Sequence, residues 1–376
     1  MATVTANIKE NGRPLKRVFV EHVGPLGVNL GWDLTDSNGS FTFDAGPGFN
    51  RVDIKIHCQN SVVRVLNGST IPFPFSIAID KNVGNGDSVN LNTVNGKRDH
   101  FKILNMVLDV YDTVWKQFKP YNSSNRGDFP LGRKQTLRQT FSDNKRIELS
   151  YPDNFPSTLA FVEPSGLFNA GFPLMHIKNQ NSDNRLFGSS SADPSILPHE
   201  VGHAMHFSSL TGSTRISIEA QYLAFIVSNL SDPTHNVDRH TTPFVAFIEA
   251  IGIFSERFFF FKKNVATQLN GEQLRKEFFR NELNQQDLSS STRHYVNVGR
   301  KVNGIVNPIL RGDDCEGAVY GAIYLDFAGR VGLKGTVGLV LESNATSFTE
   351  FRNFIHGKGD QNLTIAINAV KNTWGM

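Results

Sequence analysis

The segment from Pro198 to Phe207, Pro-His-Glu-Val-Gly-His-Ala-Met-His-Phe, restricts the folding of this chain more than any other. In a helix, His199 and His203 are four residues apart and lie on the same face. Two imidazoles placed in this way can bind one metal ion, which is usually Zn²⁺. Glu200 lies beside the first imidazole, where it can take a proton from metal-bound water. The segment therefore predicts a helix that carries a zinc site and a general base.

The residues around this motif also favour a helix. Ser195 can cap it, and Pro198 then falls in the first turn, where its missing N–H leaves no hydrogen bond unmade. The apolar residues available for packing around the helix are Ile196, Leu197, Val201, Ala204 and Phe207. The alternative interpretation is a buried helix without metal, in which the histidines are held by hydrogen bonds.

The composition is that of an ordinary globular protein. A chain of 376 residues is long enough for two or three domains. The formal net charge is only +3 and no dense run of Lys and Arg occurs, which argues against nucleic-acid binding. The longest apolar stretch, Phe244 to Phe261, is interrupted by charged residues, so it predicts a buried helix and no membrane span.

Two further features leave the compartment open. Cys58 and Cys315 lie far apart in the sequence, so their spacing does not decide whether they pair. The first residues, Met-Ala-Thr-Val-Thr-Ala-Asn, contain neither the basic nor the apolar region of a secretory signal. A cytosolic chain and a mature exported chain are both compatible with this sequence, and the oligomeric state is equally open.

Residues 1–95 are expected to be all-β. Short alternating runs are separated by clusters of Gly, Asn, Asp and Pro. The runs are Thr3–Ile8, Arg17–His22, Ser40–Phe43, Val52–His57 and Ser61–Leu66. The patterns at Val4–Val18 and Thr35–Phe43 resemble those of the transthyretin-like or carboxypeptidase-regulatory β-sandwich. The Gly- and Asn-rich stretch Asn82–Asn95 is expected to end this domain as a linker.

The periodicity changes near residue 98. His100–Phe118 has apolar residues at helical spacing, and strand-like runs at 145–150, 158–162 and 173–178 precede the His199 helix. From Ile216 onward the sequence reads as mostly helical, over 216–230, 243–261, 271–283, 315–328, 347–356 and 362–372. We therefore expect a second domain over 98–376, with an upper part (98–209) and a helical part (210–376).

A catalytic zinc site needs a third protein ligand. The extended motif H-E-x-x-H-x-x-G-x-x-H is excluded, because His206 and Ser209 occupy its last two defined positions. The H-E-x-x-H motif also resembles that of gluzincin metallopeptidases, and this resemblance implies a Glu from a later helix as the third ligand. Glu219, Glu249 and Glu256 are the candidates, and Glu249 is preferred. Glu249 lies in an apolar helix that Thr242 and Pro243 can begin, and a carboxylate there is costly unless it is paired or bound to metal.

The segment Ala246-Phe-Ile-Glu-Ala-Ile-Gly-Ile-Phe254 resembles the A-F-x-E-G-x-A-x-F helix of gluzincin metallopeptidases. In that family the Glu binds zinc, and small residues after it allow close packing. Ala250 replaces the usual Gly here, and Gly252 supplies a small residue nearby. The acid that commonly stands four residues after the ligand is replaced by Ile253, and Glu256, on the same face, could serve instead.

The resemblance covers roughly residues 98–376 and implies an α+β zincin-like catalytic domain whose C-terminal half is mostly helical. With the N-terminal sandwich, the expected protein is multidomain. The implied activity is hydrolysis of peptide or protein substrates. Internal bonds are the expected sites of cleavage, because the G-x-M-E-N motif of aminopeptidases does not occur. Tyr320 and Tyr324, four residues apart on one helix, are the first candidates to stabilise the oxyanion.

Other residues and functions stay open. Tyr295 and His294 are the next candidates for the oxyanion, His206 is expected to be a packed histidine, and His176 is a weaker functional candidate. The alternative function is a binding or adhesion module that carries a non-catalytic or latent zincin domain. A peptidase whose cleft is shielded by its own sandwich is a third alternative. The presence of Glu200 favours the enzyme, because a structural zinc site needs no base at that position.

Overall fold

A computed structural model describes the conformation of most of the chain. The described residues are 3–10, 12–24, 28–44, 52–60, 62–67, 73–74, 76–81, 88–92, 98–118, 147–153, 161–163, 174–178, 196–228, 240–264, 301–302, 305–306 and 311–376. The chain forms two compact units. The first comprises Met1–Asp109, Gly127–Pro156 and Gly166–Asn181, and the second comprises Val110–Arg126, Ser157–Ser165 and Ser182–Met376.

The first unit is built mainly from small β-sheets. Its described strands are β1 (Thr3–Glu10), β2 (Arg13–Pro14), β3 (Phe19–Val23), β4 (Asn29–Leu34), β5 (Ser40–Asp44), β6 (Val52–His57), β7 (Val63–Asn67), β8 (Phe73–Pro74), β9 (Ser76–Lys81), β10 (Ser88–Asn92), β11 (Ile147–Asp153) and β13 (Leu174–Lys178). Helix α1 (Arg98–Val110) follows β10, and the boundary between the units falls near its end. The predicted β-rich N-terminal region is therefore confirmed, while its classification as a sandwich stays a prediction.

Three sheets hold these strands together. β1 pairs with β10 in parallel and with β2 and β5 antiparallel. β3 lies between β4 and β6, and β9 follows β6, all antiparallel. In the third sheet β11 lies between β7 and β13, in parallel with both, and β8 pairs with β7. Alternate residues of the strands face the core, such as Ala6 and Ile8 in β1 and Ile54 and Ile56 in β6.

The turn that begins β5 is formed by its own sequence. One carboxylate oxygen of Asp36 accepts hydrogen bonds from the backbone N–H groups of Asn38 and Ser40, each at 2.8 Å. Gly39 has a φ of +74°, and a Cβ at this position would lie 2.4 Å from the Ile8 carbonyl oxygen. The sequence Asp36-Ser-Asn-Gly39 is therefore suited to this turn, because Asp36 supplies the hydrogen-bond acceptor and Gly39 the positive φ.

The expected division into 1–95 and 98–376 stays a prediction, and strands from both sides of it pair with each other. β11 pairs with β7, and the Arg64 guanidinium of β7 forms an ion pair with Glu148 directly opposite in β11. The expected linker 82–95 contains β10, whose alternating Ser-Val-Asn-Leu-Asn sequence pairs with β1. Strands distant in sequence can pair in this way because the hydrogen bonds between them are made by backbone groups and do not depend on particular side chains.

The second unit is mostly helical, as predicted for the C-terminal part of the chain. Its helices are α2 (Ile196–Ser209), α3 (Gly212–Ser228), α4 (Pro243–Asn264), α5 (Glu316–Tyr320), α6 (Ala328–Val331), α7 (Leu333–Ser343), α8 (Phe348–Gly357) and α9 (Gln361–Trp374). Two π-helical turns, π1 (Tyr111–Trp115) and π2 (Gly321–Phe327), extend α1 and α5. The short strands β12 (Phe161–Glu163), β14 (Lys301–Val302) and β15 (Ile305–Val306) complete the unit. The predicted helix at 271–283 lies outside the described residues.

Helix α4 is the central element of the second unit. It is buried along most of its length, with α2, α5 and π1 packed against it. Thr242 caps its first turn, since its hydroxyl oxygen accepts a hydrogen bond from the Val245 N–H at 3.2 Å. Within the described ranges, no helix is long and apolar enough to cross a membrane.

Candidate metal centre

Helices α2 and α4 approach each other closely where each has a glycine. A Cβ on Gly202 of α2 would lie 2.7 Å from the Ser255 Cβ and 2.9 Å from the Ile251 carbonyl oxygen. A Cβ on Gly252 of α4 would lie 2.5 Å from Nε2 of His199. A larger residue at position 202 would meet the backbone of α4, whereas a larger residue at position 252 would meet only the His199 side chain. The glycines therefore allow the His199 side chain to lie against the backbone of α4.

This approach brings together three potential metal ligands. Nε2 of His199 lies 3.0 Å from Oε2 of Glu249, and Nε2 of His203 lies 3.7 Å from the other oxygen of the same carboxylate. The ligand atoms of the three residues all lie within 4.8 Å of one another. Among the described residues, no other group of His, Cys, Asp or Glu is similarly arranged. The three residues predicted from the sequence thus meet in the second unit.

The Glu249 carboxylate is almost completely buried, with 1% of the side chain exposed. A carboxylate at this depth needs a positive partner, because removal of its hydration costs several kcal/mol. The His199 and His203 imidazoles lie next to this carboxylate, with Nε2 at 3.0 Å and 3.7 Å from its two oxygens. Glu249 is therefore placed where a proton or a metal ion must compensate its charge.

The second ring nitrogen of His199 faces another carboxylate. Nδ1 lies 3.5 Å from Oε2 of Glu256, seven residues after Glu249 on α4. Burial acts to lower the pKa of His199, but the contacts with Glu249 and Glu256 and the charge of Glu200 raise it well above its ordinary value of 6.5. These contacts favour the protonated form of His199, and a metal ion at Nε2 would have to displace a proton.

Glu200 is buried one residue after the first potential ligand. Its charge is close enough to contribute to the raised pKa of His199. The carboxylate expected to act as a base is therefore near the cluster without belonging to the group of three ligands.

A chain of two buried hydrogen bonds fixes α4 against the start of α2. The Ser255 hydroxyl donates to the Pro198 carbonyl oxygen at 2.6 Å, and the Trp115 indole N–H donates to the Ser255 oxygen at 3.0 Å. The sequence does not reveal that Trp115 and Ser255 meet, because they lie 140 positions apart and neither belongs to the metal motif. They secure the backbone immediately before His199.

His206 is a packed histidine, as predicted. Its ring lies between Phe207 and Phe247, and Nε2 contacts the Ala345 carbonyl oxygen at 3.2 Å. Burial lowers the pKa of His206 from 6.5 to about 4, although the contact with the Ala345 carbonyl opposes this change. The buried ring is therefore neutral at pH 7.

The titration of His206 predicts a loss of stability in acid. Because the folded-state pKa is the lower one, the unfolded chain binds the proton first as the pH falls. The free energy of unfolding should be unaffected by this group above pH 6.5 and should decrease by about 3 kcal/mol as the pH falls to about 4. Urea unfolding of the wild type and of His206→Gln, measured between pH 7 and pH 4, tests this. An equally steep pH dependence in the variant would contradict the assignment to His206.

Tyr320 and Tyr324 are both buried in helix packing. The Tyr324 ring stacks on Phe254 with 4.5 Å between centroids, and its centroid lies 6.0 Å from that of Tyr320. Burial raises the pKa of Tyr324, so its hydroxyl stays protonated. These contacts give both tyrosines a role in packing, and their proposed role as oxyanion donors stays a prediction.

The remaining candidate residues fall elsewhere. Glu219 lies on α3 and is not one of the three clustered ligands. His176 is a buried residue of β13 in the first unit. His294 and Tyr295 lie outside the described residues. Of the three glutamates considered as the third ligand, only Glu249 belongs to the cluster that the structure forms.

The three side chains could hold a metal ion, and their residue types are ones that zinc sites use. Catalytic zinc sites use three protein ligands, commonly two His and one Glu, and leave a position for water. Their ligand atoms are about 3.3 Å apart when the bonds to the metal are about 2.0 Å long. In this structure the distances of 3.0 and 3.7 Å run to different oxygens of the Glu249 carboxylate, and the three ligand atoms lie within 4.8 Å of one another. Comparisons of the chain with protein-family models, curated proteins and solved structures found no match.

Proposed function

We propose that this protein is a zinc-dependent peptidase of the gluzincin type that hydrolyses internal peptide bonds. The observation that carries this proposal is the meeting of His199, His203 and Glu249 within 4.8 Å, next to a buried Glu200. A zinc ion with two His ligands and one Glu ligand would keep a fourth coordination position for water. The neighbouring carboxylate supplies a base that a purely structural site would not need.

Each residue has a distinct role in the proposed reaction. His199, His203 and Glu249 would hold the metal. A bound zinc ion would supply Lewis-acid chemistry for polarising the substrate carbonyl and making the attacking water more acidic. Glu200 accepts the proton of the attacking water and delivers it to the leaving amine. Tyr320 and Tyr324 are the proposed donors to the oxyanion.

The proposed fold assignment rests on the order of elements. Described strands precede the α2 helix, and the third ligand comes from the later helix α4, an order expected for a zincin domain. The small antiparallel sheets of the N-terminal region and the Asp36 turn are compatible with the proposed transthyretin-like sandwich. Peptide or protein chains are the proposed substrates, and no binding of nucleic acid is proposed.

Measurement of metal content tests the proposal at its first step. We expect one zinc ion per chain after metal removal and reconstitution, and loss of tightly bound zinc in Glu249→Ala. Loss of a ligand should weaken zinc binding by more than the 10–100-fold typical of changes to groups around the ligands. Elemental analysis after dialysis measures this. Glu219→Ala, a matched change outside the cluster, should retain zinc.

Two outcomes would change the conclusion. Full zinc affinity in Glu249→Ala would assign the third ligand to another residue, Glu219 or Glu256. Zinc-loaded protein that cleaves nothing in a broad peptide library would favour a binding module or a latent enzyme over an active peptidase.

A further inference from the structure

We propose that Glu256 is a positioning residue for the metal centre, which holds the His199 imidazole through Nδ1 so that Nε2 faces the metal. This inference rests on the proposed function and adds a residue to its site. The position expected from the resemblance, four residues after Glu249, is occupied by Ile253. A carboxylate two turns after Glu249 would perform the same task in this chain.

The two nitrogens of His199 face two carboxylates on one stripe of α4. Nε2 lies 3.0 Å from Glu249, and Nδ1 lies 3.5 Å from Glu256. Positions 249 and 256 are separated by about two helical turns and therefore share a face. Gly252 lies between them on this face, where its missing side chain makes space for the imidazole. The ring is thus held between two carboxylates and the bare backbone of the helix.

The geometry indicates that Glu256 does not itself bind the metal ion. The lone pairs of the two imidazole nitrogens point in divergent directions, so one ring binds a given metal ion through one nitrogen only. Nε2 of His199 faces Glu249, and the same carboxylate faces Nε2 of His203. Glu256 lies at the opposite nitrogen. Glu256 therefore contacts the nitrogen of His199 that faces away from a metal ion held by the three clustered residues.

The position of Glu256 is fixed by its surroundings. Its side chain is only 8% exposed, and a carboxylate removed from water requires a partner such as the Nδ1–H group. Ser255, the preceding residue, donates to the Pro198 carbonyl oxygen at 2.6 Å, directly before His199. A buried hydrogen bond therefore joins the residue before Glu256 to the residue before His199.

This arrangement predicts a contribution to metal affinity. A carboxylate that accepts the Nδ1–H proton selects the tautomer in which Nε2 has a free lone pair, and it also makes that nitrogen a stronger donor. Removal of such a partner typically lowers metal affinity by about 10–100-fold. The substitution should leave the ligand set unchanged.

The experiment compares Glu256→Gln and Glu256→Leu with the wild type in the full-length chain. Gln keeps an acceptor oxygen without the charge, and Leu removes both. Zinc Kd is measured by competition with a chromophoric chelator, and the absorption spectrum is recorded after saturation with Co²⁺. We expect the Kd to rise by about 10-fold for Gln and about 100-fold for Leu, with the wild-type cobalt spectrum in both. Glu219→Gln is the matched control and should leave both readouts unchanged.

Each other outcome overturns the inference. Unchanged zinc affinity in both variants would show that the contact does not position His199. A cobalt spectrum altered in the same way as that of Glu249→Gln would make Glu256 a ligand. Wild-type protein that binds neither metal would refute the proposed function as well. If Glu256→Leu does not fold, as judged by circular dichroism, the near-isosteric Glu256→Gln decides the question alone.

Discussion

Replacement of Glu200 by glutamine is expected to lower the rate of peptide hydrolysis by about 10²–10⁴-fold, and by more if Glu200 also generates the nucleophile. Glutamine has nearly the same size and hydrogen-bonding capacity but cannot accept the proton of the attacking water. Because Glu200 is not among the three clustered ligands, zinc content should not change. Cleavage of a broad peptide library, followed by mass spectrometry, measures both the rate and the positions of the cuts.

The Glu200 experiment depends on zinc content and activity being measured on the same samples. Equal zinc in both proteins with cleavage only in the wild type supports the base. A Glu200→Gln variant that cleaves at the wild-type rate would refute it. Internal cuts would support an endopeptidase, while cuts confined to one terminus would indicate an exopeptidase.

Replacement of Gly252 by alanine is expected to abolish tight zinc binding without unfolding the protein. The new Cβ would lie 2.5 Å from Nε2 and 2.7 Å from Cε1 of His199, which no real contact tolerates. Since the atoms encountered are at the end of a side chain, the imidazole can rotate away while α4 keeps its backbone. Loss of this ligand should weaken zinc binding by more than about 100-fold. Chelator competition measures the Kd, and circular dichroism measures the retained helix.

Gly335→Ala provides the control for this substitution. Gly335 lies on α7, and a Cβ there would meet nothing within 4 Å. Zinc affinity should equal that of the wild type, and stability should be unchanged or higher by up to about 1 kcal/mol, the difference in helix propensity. Wild-type zinc affinity in Gly252→Ala would mean that His199 is not a ligand in the observed position.

The sequence by itself determined the local features of this protein. The spacing of His199 and His203 places both imidazoles on one helical face, because an α-helix repeats every 3.6 residues. The isolated charge of Glu249 in an apolar helix indicated a group that needs a buried partner. The alternating runs before residue 95 predicted the β-rich region, since side chains of a strand alternate between its faces. Each of these inferences concerns residues within one or two turns or one strand of each other.

The tertiary structure alone decided which distant groups meet. The sequence offered Glu219, Glu249 and Glu256 as candidates for the third ligand, and the crossing of α2 and α4 at Gly202 and Gly252 groups Glu249 with His199 and His203. The same crossing directs Glu256 to the second nitrogen of His199. The Trp115–Ser255 hydrogen bond and the pairing of β7 with β11 also join residues that no sequence motif connects. Helix packing and strand pairing depend on the shape of whole surfaces and on backbone hydrogen bonds, which short-range residue patterns do not specify.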